Sequence, residues 1–157
     1  MNWRVIAVAA VIVTVVVYAV GSGAWVSTGG AWYLALDKPW WQPPPWVFGV
    51  IWPYNFVALA VVGSVIAWSA VPARVIAVIA LLAVTVVLAI VWAYLFYVPH
   101  ELTWAAIALT SAAVLTLPIT AIAFAERWWL GLLLVPYQMW LVLAASLSWG
   151  YVAKAGT

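Results

Sequence analysis

Residues 32–56 read WYLALDKPWWQPPPWVFGVIWPYNF, and this stretch separates what must be loop from what can be helix. It sets Trp32, Trp40, Trp41, Trp46 and Trp52 around an Asp37-Lys38-Pro39 step and the run Pro43, Pro44, Pro45. Each proline fixes its own φ and disfavours helix in the residue before it, so the segment up to Pro44 is expected to be extended or turned. Pro45 suits the first turn of a helix, where a missing N–H costs nothing, and an apolar run follows from Trp46. A stiff aromatic loop therefore meets a helix mouth. Two readings follow: an interfacial loop with its tryptophans among lipid headgroups, or the lid and wall of a site for a flat apolar ligand.

Outward from that loop the chain is apolar almost throughout. Of 157 residues, 71% are hydrophobic and 5% charged, with a mean hydropathy of +1.24. A soluble domain carries about a quarter charged residues, so this chain faces hydrocarbon over most of its surface. Five basic and three acidic residues, net +2, are too few for a nucleic-acid-binding patch. The absence of cysteine removes disulfides, thiolate nucleophiles and sulfur metal ligands.

With about 20 apolar residues per bilayer crossing, the sequence divides into five helices, near 3–26, 46–68, 74–97, 102–124 and 128–152. The expected fold is an all-α integral membrane bundle of five transmembrane helices, a single domain over 1–157 with one long Trp/Pro-rich loop between the first two crossings. The first run continues past the length of a signal-peptide core and is read as a crossing. The remaining links, Ser69 to Ala73, Val98 to Glu101 and Ala125 to Arg127, are short, so consecutive helices are expected to be antiparallel neighbours. The long loop, the third link and the C-terminus then share one membrane face with Lys38 and Lys154. Arg4, Arg74 and Arg127 lie on the other, a three-to-two bias towards a cytoplasmic N-terminus.

Small residues recur at close-packing spacing: Ala60 with Ser64, Gly63 with Ala67, Ala77 with Ala80 and Ala83, Ala108 with Ala112, and Ala144 with Ser148. Such faces serve the bundle itself or a homodimer. Pro118 and Pro136 are expected to kink their helices. Every Asp, Glu, Lys, Arg and His falls in a loop or at a helix end, which argues against an ion-coupled transporter. His100 reads as a solvated loop histidine, and no metal ligand set is assigned. Most tryptophans sit near helix ends, as an interfacial belt requires. Trp52, Trp92 and Trp140 do not; Trp52 lies ~9 Å below the loop face at 1.5 Å per residue. With Trp104 they are expected to converge on a cavity beneath the proline-rich loop.

WYLALDKPWWQPPPWVFGVIW closely resembles the first-loop signature of the tryptophan-rich sensory protein and translocator protein (TspO/MBR) family. LLVPYQMWLVLAASLSW, from Leu133 to Trp149, is similar to that family's fifth helix, and WAYLFY, from Trp92 to Tyr97, is a weaker match. The resemblance covers the whole chain. It implies a five-helix bundle, usually dimeric, that binds tetrapyrroles such as protoporphyrin IX and, in animal members, cholesterol and synthetic ligands. It links bacterial members to stress and tetrapyrrole regulation, some with light-dependent porphyrin breakdown. By motif position Trp52 and Trp140 match the cavity tryptophans tied to porphyrin binding and degradation, and Trp32, Trp40, Trp46, Trp92 and Trp104 match other pocket or loop aromatics. Phe48, Phe56, Ala144 and Ser148 complete the candidate ligand-binding set.

The chain departs from the family pattern where Ala89, Ala93-Tyr94, Ala108, Phe56 and Ser148 replace more polar or more usual residues. Each change removes a group that orients a ligand, so the pocket is expected to be unusually apolar, with Tyr94 and Ser148 as its unpaired hydroxyls. Leu147, Tyr151 and Lys154 fit a loose cholesterol-recognition pattern that carries little weight. The expected function is a membrane sensor or carrier for a flat apolar ligand such as protoporphyrin IX, requiring no cofactor. The alternative is an accessory or structural subunit holding lipid, carotenoid or a sterol-like ligand. No catalytic residue is assigned beyond a photochemical role for Trp52 and Trp140 towards a bound porphyrin.

Overall fold

The structure is a computed structural model that describes residues 2–156. Its helices are α1 (Trp3–Trp25), α2 (Ala31–Ala35), α3 (Pro45–Ser69), α4 (Pro72–Tyr97), α5 (Leu102–Glu126) and α6 (Trp128–Ala155). All but α2 are long and apolar enough to cross a membrane. The helix starts follow local chemistry. The Asn2 side chain accepts a hydrogen bond from the Arg4 N–H at 3.0 Å and caps α1. Pro45 opens α3 as expected, and Pro72 opens α4 in the same way, two residues before the expected start at 74.

The long helices close into a ring: α1 packs on α3 and α4, α3 on α6, α6 on α5, and α5 on α4. Two glycines set the fit of α1. A Cβ on Gly63 would lie 2.6 Å from Val11, and one on Gly21 would lie 2.6 Å from Ile90, so α1 sits flush against both neighbours. This corrects one expectation from the sequence. Consecutive helices are not all neighbours, because α1 occupies the groove between α3 and α4, which touch only lightly despite their short link. Much of the small-residue spacing is spent here: Gly63, Ala67, Ala108 and Ala112 are buried.

Prolines interrupt three helices, Pro53 in α3 as well as the expected Pro118 and Pro136. Polar side chains serve backbone carbonyls nearby: the Tyr54 hydroxyl donates to the Leu133 carbonyl at 2.9 Å, and Gln138 Nε2 donates to that of Ala113 at 2.9 Å.

The first loop departs from expectation at its start. Ala31–Ala35 form a short helix, because the proline restriction reaches back only to Lys38, the residue before Pro39. Beyond it the chain lies across the end of α6. Asp37 pairs with Lys154 at 2.7 Å, Trp41 Nε1 donates to Ser146 Oγ at 3.3 Å, and Gly150 makes room for Pro39 and Trp41, whose atoms a Cβ there would approach to 2.6 and 2.9 Å. Trp32 stacks on His100, ring centroids 3.8 Å apart and 15° from parallel. The long loop, the α4–α5 link and the end of α6 therefore share one face. On the opposite face Arg74 and Glu126 pair at 2.5 Å, joining the start of α4 to the end of α5.

Candidate functional site

Beneath the first loop, inside the ring, lies a cavity of about 440 Å³. That volume falls within the range of small-molecule sites. Four helices each give it one stripe. From α1 come Ala19, Ser22 and Gly23, with Val26 just past its end; from α3, Pro45, Phe48, Gly49, Trp52 and Phe56; from α4, Trp92, Phe96 and Tyr97; from α6, Trp140, Ala144, Leu147, Ser148 and Tyr151. Steps of three and four residues place these side chains on single helix faces. Thr28 and Tyr33 close the loop side, and α5 contributes nothing to the wall.

The aromatic wall is continuous. Trp52 is stacked with Phe56 (5.7 Å, 25°) and meets Trp140 edge-on at 6.2 Å, while Phe48 meets Trp140 edge-on at 5.1 Å. Tyr18 supports this group from α1, its ring 5.9 Å from Trp52 and 5.3 Å from Phe56. These contacts hold the ring planes in fixed orientations, which favours a planar occupant. The polar groups gather under the loop. Trp92 Nε1 donates to Ser148 Oγ at 3.1 Å. Gln42 Nε2 donates to the Tyr33 hydroxyl at 3.2 Å, and the Tyr151 hydroxyl donates to Gln42 Oε1. None of the described lining residues is charged; Lys38, on the loop, places Nζ 5.3 Å from the centre of the Tyr33 ring.

Of the residues singled out from sequence, the structure brings Phe48, Phe56, Ala144, Ser148 and the tryptophans Trp52, Trp92 and Trp140 to the cavity wall. Four others lie elsewhere. Trp40 is 90% exposed, Trp46 69% and Trp104 61%, and Trp32 packs against Phe96 and His100 on the far side of the wall. Trp104 has the expected depth but the wrong azimuth. The buried face of α5 is centred on Ala105, Leu109 and Ala112, and Trp104 lies at its edge on the side of the exposed Ile107, which turns residue 104 outward. His100 is exposed, yet its ring is covered on one face by Trp32. Nor are Tyr94 and Ser148 the free hydroxyls of the cavity. Tyr94 packs outside against Trp25, ring centroids 5.2 Å apart, and Ser148 accepts from Trp92.

Sequence reasoning missed Tyr33, Phe96, Tyr97, Tyr151 and the whole α1 face. Tyr151 lies three residues beyond Ser148, on the same side of α6, and that spacing was a usable signal. On the α1 face Ser22 and Gly23 interrupt an otherwise apolar run and could have marked it, whereas Ala19 and Val26 differ little from the residues around them.

Fold and cavity together define a polytopic helical membrane protein with an aromatic, uncharged chamber under a proline-stiffened loop. The chain belongs to the TspO/MBR family, whose profile matches residues 7–153. It is 26% identical over 129 residues to protein CrtK of Rhodobacter capsulatus, covering 82% of this chain and 81% of that protein. It is 30% identical over 133 residues to the human translocator protein, covering 83% and 78% of the two chains. The tryptophan-rich sensory protein of Cereibacter sphaeroides is 28% identical over 118 residues, 74% of this chain and 72% of its own. With bacterial proteins among these relatives, the chain is a multi-pass integral membrane protein of prokaryotic type.

Proposed function

We propose that this protein is a membrane sensor or carrier that binds a flat apolar ligand, a tetrapyrrole such as protoporphyrin IX, in the cavity beneath the first loop. The observation that carries the reading is Trp52, set between Phe56 and Trp140 in the wall of a cavity of about 440 Å³. Apolar burial and ring stacking supply the affinity. Protoporphyrin IX should quench tryptophan fluorescence saturably. Loss of one stacking partner, about 0.5–1.5 kcal/mol, should weaken binding roughly two- to tenfold in Trp52→Ala or Trp140→Ala. No saturable quenching by folded protein would remove the reading.

A second reading is favoured by the uncharged wall. The two carboxylates of a porphyrin meet no cation among the lining residues and must stay outside the uncharged wall. An accessory subunit that holds a lipid, carotenoid or sterol-like molecule has no such demand. Purification in mild detergent at native expression, with mass spectrometry of co-purified molecules, separates the two: a stoichiometric protein partner and a neutral ligand support the accessory role.

Catalysis in darkness has no support in this site. General acid–base chemistry needs a titratable group matched to its task and within reach of the substrate. The lining offers the phenols Tyr33, Tyr97 and Tyr151 and no carboxylate, imidazole or amine. A bound porphyrin would remain intact in the dark and be lost only slowly, with oxygen, under illumination. Replacing Trp52 and Trp140 with phenylalanine should slow that loss. Steady dark turnover would refute this reading, and unchanged photolysis in the double variant would remove the two tryptophans from it.

A further inference from the structure

The lining residues differ sharply in how far they are open to the outside. Those on α6 and α4 are buried or half-buried, whereas Gly23, Val26, Thr28, Pro45 and Gly49 are exposed. All five belong to the end of α1, the link after it and the start of α3. The mouth of the cavity is therefore a slot between these two helices.

The packing of α1 explains why it opens there. At the far end α1 and α3 are in contact through Val11 and Gly63, and α1 is held to α4 by Gly21 against Ile90 and by Trp25 against Tyr94. Towards the loop face the α1–α3 seam parts. A Cβ built on Gly23 or on Gly49 meets nothing within 4 Å, in contrast to Gly21 and Gly63 on the same helices. The loop does not offer an equal route, because it is fixed across α6 by Asp37–Lys154, Trp41–Ser146 and Gln42–Tyr151.

The slot also lies at a definite depth. Gly49 is four residues into α3, roughly 6 Å from its start at 1.5 Å per residue, and Gly23 is two residues from the end of α1. Trp46, exposed, stands at the start of α3 beside the seam, and Trp25, exposed on the α4 side of α1, stands at the end of α1, as aromatic residues do at the headgroup level. A slot at that depth, below the aromatic residues of the headgroup level, would face the upper acyl region of the loop-side leaflet.

We infer that the cavity exchanges its occupant sideways with the loop-side leaflet, through a slot framed by Gly23 and Gly49, whose missing side chains set the rate of exchange and restrict it to thin, planar molecules. This rests on the cavity being a ligand site, as proposed above.

The test uses the full chain in phosphatidylcholine vesicles with protoporphyrin IX as probe, read by stopped-flow tryptophan quenching. The association rate should follow porphyrin per lipid, falling when lipid is added at constant total porphyrin. In Gly23→Leu/Gly49→Leu, association and dissociation should both slow by about tenfold or more, a common slowing of the two rates being the mark of a raised barrier whatever the change in affinity. Gly29→Leu, also in open space but outside the wall, should leave both rates unchanged. Because the chain has no cysteine, Gly23→Cys/Gly49→Cys joined by a cleavable thiol cross-linker gives an independent reading: exchange should slow on joining and recover on cleavage. Normal quenching with rates unaffected by the cross-link, or rates that follow the aqueous porphyrin concentration, would overturn the route alone. So would loss of binding in the leucine pair with unaltered exchange in the cross-linked chain. No saturable quenching in the unmodified chain would overturn the ligand site and the route together.

Discussion

At the scale of single residues, the decisive quantity in this protein is azimuth. Depth was legible, since 1.5 Å per residue places Trp52, Trp92, Trp104 and Trp140 without any knowledge of packing. Azimuth was not, because apolar residues surround each of these helices and no hydrophobic stripe marks an inner face. Trp52 and Trp140 point in, Trp104 points out, and the difference lies in which neighbouring alanines are buried. The same distinction separates Trp32 from Trp52. Trp32→Ala removes the stack on His100 and the edge contact with Phe96, so it should loosen the loop, seen as faster proteolysis or hydrogen exchange over 27–44. Its effect on ligand affinity should be smaller than that of Trp52→Ala. Gly63 allows a sharper test. Alanine there forces a methyl to within 2.6 Å of Val11, and overpacking of this kind costs about 1–3 kcal/mol. Thermal unfolding in detergent should show that loss, and adding Val11→Ala should recover part of it.

Among elements, the five long helices were readable to within a few residues because length and hydropathy alone define a crossing. The first loop was readable only where proline acts. Pro39 and Pro43 to Pro45 exclude helix around themselves, and the structure is non-helical from Leu36 to Pro44. The five residues of α2 gave no signal, being too short for a periodic pattern, and the loop's seat on α6 depends on Gly150, more than a hundred residues away in the chain. That seat is testable. The Asp37–Lys154 pair is exposed and should contribute under about 1 kcal/mol, so Asp37→Asn should barely shift the unfolding temperature. Gly150→Ala pushes directly against Pro39 and Trp41 and should expose the loop to protease far more than Asp37→Asn does. Equal sensitivity of the two variants would mean that the charge pair, not the close approach, holds the loop.

For the whole molecule, the ring order could not be read from sequence. Short links suggested that neighbours in the chain pack closely in space, and α3 and α4 touch only lightly. Gly63 with Ala67 and Ala108 with Ala112 proved to serve this ring; Ala60 with Ser64 on α3 keeps partial exposure, and so does the longer stripe Ala77, Ala80 and Ala83 on α4. A homodimer formed through that stripe should be separated by Ala80→Leu, read as a fall to monomer mass in light scattering of the detergent-solubilised protein. An unchanged mass would place any self-association on another face. The position of α1 has a consequence for biogenesis. Helix α1, made before the other described helices, is clasped by two that follow it, so α3 and α4 must be threaded into the bilayer on either side of a segment already there. The nineteen residues between α1 and α3 supply the slack for that manoeuvre. Severing the chain in that tether should therefore leave two pieces that reassemble when made together, whereas omitting the first piece should cost the later hairpin its partner and mark it for degradation.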